Sequence, residues 1–167
     1  YVTHDQKEAL TMSDRIAVIN EGSLMQLGTP TEIYNNPKNS FIADFIGESS
    51  LIAIKVKDKC AQIGEVKLLV NHKVDFDGDY LLVIRPEKLF LSKGNETNTN
   101  FFVVSVLESI FQGESQLLVI KLDSKLFGEQ TLQMRIANGT DLKEKLPAVG
   151  EKISVGLRMA DTFLVEK

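Results

Sequence analysis

Along the first 47 residues, apolar positions come in short blocks of two alternating kinds. DQKEALTMS spaces them as a short helix does, with Asp5 as the cap and Glu8 at the capping-box position. RIAVIN and SLMQLG read as two strands joined at Glu21-Gly22, which predicts a hairpin over 15–28. In TPTEIYNNP, Thr29 caps, Pro30 takes the first helical position, Glu32 closes the box and Asn36-Pro37 ends the helix. SFIADFIG repeats the scheme, with Ser40 as the expected cap and Gly47 as the stop. Its Phe41, Ile42, Phe45 and Ile46 make one apolar face that should dock on the β-rich region C-terminal to it.

From about residue 50 the helical period gives way to short β-rich runs. They are LIAIKV, EVKLLV, YLLVI, KLFLS, FFVVSVLESIF, SQLLVIKL, QTLQMRIA, KISVGLR and TFLVE. Many short strands separated by Gly, Asn and Asp predict a small barrel or sandwich. The polar stretch KGNETNTN, 93–100, reads as a linker between two β units. GDYLLVIRPEKLFL and GEKISVGLRMADTFLV echo each other, with glycines 72 apart and Arg85 and Arg158 73 apart. Two related halves, about 48–92 and 100–167, would explain the echo.

Composition adds exclusions. A net charge of −4, of which −3 falls in residues 1–47, leaves no polyanion footprint. The chain has no Trp, and Phe101, Phe102 and Phe111 alternate with aliphatics as core residues do, so no nucleic-acid partner is expected. Cys60 is the only cysteine, so no internal disulfide can form. No phosphate loop, G-x-G-x-x-G or G-x-S-x-G is present. His4 and His72 lack partners at metal-ligand spacing, and DFDGD, 75–79, lacks the closing Glu of an EF-hand, so no metal site is expected. Asn95-Glu96-Thr97 and Asn138-Gly139-Thr140 match the glycosylation pattern without a secretion signal to give it meaning. The one suggestive residue is His4. It follows a short β run and precedes a helix cap, where an imidazole can meet a phosphate oxygen or simply cap the helix.

The segment THDQKEALTMSDRIAVINEGSLMQLGTPTEIYNNPKNSFIADFIGE resembles the last part of the nucleotide-binding domain of ABC importer ATPases of the maltose and polyamine type. The likeness runs through His4, Asp5, Gln6, Glu8, Asp14, Arg15, Gly28, Thr29, Pro30, Glu32, Tyr34, Pro37, Phe41, Phe45 and Gly47. It continues more weakly at Arg85, Pro86 and Glu87 in IRPEKLFL, which resembles a landmark of that family's C-terminal β region.

The resemblance implies a mainly β chain. Residues 1–47 would be an α/β remnant of the ATPase domain, and 48–167 an oligonucleotide-binding-like small β-barrel with regulatory and dimer-contact roles. His4 would be the switch-loop histidine, both catalytic and nucleotide-binding, contacting the γ-phosphate and holding the attacking water in the intact ATPase. The implied cofactors are ATP and Mg. The implied partners are a second ATPase subunit, as a homodimer, and transmembrane permease subunits. The implied place is the cytoplasmic face of the cell membrane, as a peripheral protein. The phosphate loop, glutamine loop, signature motif and catalytic glutamate would lie before Tyr1, so this stretch alone should not hydrolyse ATP. FIGESSLI is most similar to polyamine importers, with iron and sugar importers next. A molybdate-like oxyanion-binding domain is the alternative, since such domains share this kind of barrel.

Overall fold

The computed structural model describes residues 1–63, 66–71, 74, 76–122, 130–138 and 146–166. His72, Asp75, Gly139 and Thr140 lie outside them.

Three short helices and a hairpin come first: α1 (Gln6–Met12), β1 (Ile16–Asn20), β2 (Ser23–Gly28), α2 (Pro30–Asn35) and α3 (Ser40–Phe45). Glu21 and Gly22 both take positive φ, 47° and 76°, the geometry that lets a two-residue turn follow the strand twist. Thr29 and Glu32 form a complete capping box. At α1 the box is only half made. Asp5 accepts from the Glu8 N–H, while the Glu8 carboxylate accepts from the Thr3 hydroxyl at 2.7 Å. The cap of α3 is Asn39, not Ser40. Its amide oxygen reaches the Ile42 N–H at 3.0 Å, and Ser40 is already the first helical residue.

Among the described residues the β region then forms two antiparallel five-stranded sheets. Its strands are β3 (Ser50–Lys57), β4 (Cys60–Ile63), β5 (Val66–Lys67), β6 (Gly78–Ile84), β7 (Leu89–Leu91), β8 (Thr99–Phe111), β9 (Ser115–Leu122), β10 (Thr131–Ala137), β11 (Lys152–Arg158) and β12 (Phe163–Glu166). The sheet orders are β12-β6-β3-β4-β5 and β10-β9-β8-β11-β7. The mainly β expectation holds. The expected linker is shorter, because Thr99 and Asn100 already belong to β8. Both are buried, and the Asn100 amide bonds the Leu69 backbone and the Thr162 hydroxyl.

Arg85 and Arg158 each precede a short 3₁₀ turn. β6 ends at Ile84, and Arg85 then opens a 3₁₀ turn (Pro86–Lys88) leading to β7 in the other sheet. β11 ends at Arg158, which opens a second 3₁₀ turn (Met159–Asp161) leading to β12 back in the first sheet. Each sheet therefore receives one strand from the far part of the chain. Lys88 and Asp161 tie the two turns together at 2.8 Å.

Alternating strand residues fill the space between the sheets, among them Ile52, Leu82, Ile84, Val104, Leu118, Ile120, Met134 and Leu157. A second cluster of Ile16, Val18, Ile33, Ile42 and Ile46 holds the N-terminal elements together. A third, small cluster joins the two regions, with Ala43 of α3 against Val83 and Val165. The buried face of α3 is thus Ile42, Ala43 and Ile46. Phe45, expected inside, is exposed and stacks on Phe41 with ring centroids 5.5 Å apart. The cause is local: a six-residue helix caught between two clusters has its buried side set by Ile42 on one and by Ala43, packed on Val83 and Val165, on the other. Phe102 is in the core, but Phe101 faces outward and Phe111 sits at a hairpin end, so the expectation that all three are core residues holds only for Phe102.

Candidate functional site

His4 lies in a turn. Tyr1–His4 form no strand, because they pair with none of the described strands, and Tyr1 and Val2 are almost fully exposed. The turn is closed around His4 by its neighbours. The Asp5 N–H donates to Thr3 Oγ1 at 3.0 Å, and the Glu8 N–H to Asp5 Oδ1 at 3.0 Å. The backbone is held and the imidazole points free. It is exposed, and among the described residues none hydrogen-bonds it. An imidazole so placed can serve an external group. No cluster of three or more His, Cys, Asp or Glu able to hold a metal ion occurs among the described residues. For a bound nucleotide these residues would supply the His4 contact.

The second feature is the joint between the two regions, centred on Arg85. This side chain is buried at the end of β6, where charge is costly unless its donors are all met. Nη2 donates to the Tyr34 carbonyl at 3.1 Å. Nη1 donates to the Ile46 carbonyl and, at 2.6 Å, to Ser49 Oγ, with the Ala43 and Glu48 carbonyls at 3.2 and 3.3 Å sharing its hydrogens. Ala43 and Ile46 sit at the C-terminal end of α3, where carbonyls have no helical partner and carry partial negative charge. Arg85 thus neutralises that helix end from the β region. Burial holds its pKa below the ordinary value, against which Tyr34 and Glu87 act.

Tyr34 covers the guanidinium, with the ring centroid 4.2 Å from Cζ. Its hydroxyl donates to Glu87 Oε1 at 2.7 Å. Burial, then the Glu87 bond, push the Tyr34 pKa up to about 12. Gly47 packs under both residues at φ 76°, and a Cβ there would lie 2.7 Å from Tyr34 Cε2 and 3.2 Å from Arg85 Nη1. At the rim, Arg135 of β10 pairs with Glu48 at 2.7 Å. Beside the joint, a cleft of about 270 Å³ opens between the Asn35–Pro37 loop and the two 3₁₀ turns.

Sequence reasoning singled out His4 and treated Arg85 as a landmark only. It gave no role to Gln26, which is buried and binds the Asn36 carbonyl at 3.0 Å and the Lys38 N–H at 2.9 Å, locking β2 to the end of α2. The available signal was an amide on a strand face otherwise apolar. Arg85 offered the signal of a charge at the end of an apolar strand.

A β fold of two strand-exchanged sheets, joined by a buried arginine to a small helical segment, defines the class. Residues 82–165 match the TOBE domain, and the chain belongs to that family. Along its length it is similar to the C-terminal part of ABC importer ATP-binding subunits, as its sequence implies. Among these relatives are the spermidine/putrescine import ATP-binding proteins PotA of Borreliella afzelii, 38% identical over all of this chain and 44% of the relative, and of Borrelia garinii, 37% identical over the same shares. PotA of Acetivibrio thermocellus is 42% identical over 68% of this chain and 32% of its own length. The chain therefore spans less than half the length of the curated relatives it matches. A solved structure of the cytoplasmic molybdate-binding protein ModG superposes with a TM-score of 0.53 over 71% of this chain and 96% of that one. At 12% identity this likeness shows the fold alone.

Proposed function

We propose that this chain works as part of the ATP-binding subunit of an ABC importer that takes up polyamines. In this reading residues 1–47 complete the nucleotide-binding domain and residues 48–167 form its regulatory β region. The observation that carries the reading is the similarity, over the whole of this chain, to part of the spermidine/putrescine import ATP-binding proteins. The exposed, unpartnered imidazole of His4 supports it, since a γ-phosphate contact must be open to a ligand. In the intact subunit His4 would donate a hydrogen bond to a γ-phosphate oxygen of ATP bound with Mg and would orient the water that attacks it.

The subunit pairs with a second copy and binds permease subunits at the cytoplasmic face of the membrane. No helix among the described residues is long and apolar enough to cross a bilayer. Exposed Phe101, Val103 and Ile110 on the outer face of β8 give the β region an apolar surface for that pairing.

Reconstitution of the intact subunit with its permease in proteoliposomes tests the reading. ATP-dependent uptake of labelled spermidine is expected. Uptake of maltose or ferric iron in its place would overturn the polyamine assignment, and binding of molybdate by this chain in calorimetry would favour the oxyanion alternative.

A further inference from the structure

We infer that Gln6 is a positioning residue for His4, through which the Arg85 joint sets where the imidazole stands. The inference rests on the reading of His4 as the γ-phosphate contact.

Helix α1 has seven residues and no fully buried side chain. So short a helix is not stable by itself, and only Ala9 and Leu10 pack it, half-buried, against the N-terminal cluster. Polar ties therefore carry unusual weight. One of them leaves the first helical residue: Gln6 Oε1 accepts the Gly47 N–H at 2.9 Å, across 41 residues of sequence. Gly47 is itself held. The carbonyls of its two neighbours, Ile46 and Glu48, both accept from Arg85 Nη1. With φ at 76° and no room for a Cβ, its N–H direction is dictated by the backbone that Arg85 grips. On the other side, Gln6 follows Asp5, and the Thr3, Asp5 and Glu8 bonds make the turn around His4 one unit with the start of α1. A continuous set of short contacts thus runs from Arg85 in the β region through Gly47 and Gln6 to the turn that carries His4. A shift of α1 at Gln6 moves the imidazole with it.

The bond needs only an acceptor at position 6, which gives a clean separation of variants. Gln6→Leu keeps bulk and loses the acceptor. Gln6→Glu keeps an acceptor and adds a charge that a helix N-terminus tolerates. In the intact ATPase subunit, Gln6→Leu should lower kcat about tenfold with KM for ATP nearly unchanged, since small misplacements of a reacting group cost up to ~10²-fold. Gln6→Glu should restore most of the rate. In this 167-residue chain, hydrogen exchange at the Gly47 amide should speed up in Gln6→Leu and not in Gln6→Glu, while β8 and β9 stay protected as a check on folding. Gln6→Leu with wild-type turnover beside a slow His4→Ala would overturn the positioning role and leave the His4 reading standing. Equal loss in Gln6→Leu and Gln6→Glu would overturn it as well. Wild-type turnover in His4→Ala would remove both.

Discussion

The guanidinium of Arg85 lies 4.2 Å from the ring centroid of Tyr34, and each of the two holds the other's region of the chain in place. Arg85 comes from the β region and binds carbonyls of residues 34, 43, 46 and 48. Tyr34 comes from α2 and binds Glu87 in the β region.

Replacing Arg85 by Ala strands several carbonyls and removes the ring contact. Leaving buried polar groups unsatisfied costs about 1–3 kcal/mol each, so a loss of roughly 3 kcal/mol is expected overall. Arg85→Lys should recover only part, because one ammonium cannot reach both the Tyr34 carbonyl and the α3 end. Urea unfolding of the three proteins gives the comparison. Stability of Arg85→Ala within about 0.5 kcal/mol of the parent, the scale of an unimportant surface change, would contradict the role.

Tyr34 gives the joint a pH dependence. Its folded pKa, about 12, stands above the unfolded value of 10.0. For a group held neutral in the fold, the stabilisation is complete below the unfolded pKa and fades as pH rises towards the folded one. Stability should therefore fall between about pH 10 and 12, and Tyr34→Phe should flatten that part of the profile while costing about 1 kcal/mol at neutral pH. Chemical denaturation on either side of the unfolded pKa, at about pH 8 and about pH 11, tests both.

Gly47→Ala should destabilise by roughly 2 kcal/mol, adding the strain of a left-handed backbone to the close approach of Tyr34 Cε2. A thermal unfolding curve unchanged from the parent would show that the joint can open without cost.

The self-association expected of residues 48–167 can be mapped on β8. Val103→Lys and Ile110→Lys place charge on exposed strand positions that make no core contact, so folding should hold while pairing weakens. Light scattering of both variants at high protein concentration, against the parent, reads the difference. Dimers that survive both changes would put the contact elsewhere.

Much of the local structure was legible because its causes are local. Thr29, Pro30 and Glu32 announced α2, and Glu21-Gly22 announced the hairpin. Short β-rich runs between Gly, Asn and Asp turns marked most strands. The strand exchange was not legible, because the partners of β7 and β12 are chosen by packing between distant parts of the chain. The same holds for the joint. Arg85 and Gly47 stood out as residue types, yet the role of Arg85 needs carbonyls 42 and 39 residues away in sequence. His4 stood out by its place before a helix cap and took its role from resemblance; its freedom from partners was visible only in the fold. Phe45 misled because a helix of six residues has too little surface to bury every apolar side chain it carries.

On the proposed reading His4 contacts the γ-phosphate from an element anchored to the β region. Steady-state ATP hydrolysis by the intact subunit carrying His4→Ala, with nucleotide binding measured alongside, decides whether it does. Loss of one transition-state contact predicts a kcat lower by ~10²–10³-fold with ATP affinity changed only a few-fold. Turnover close to the parent's would contradict the account.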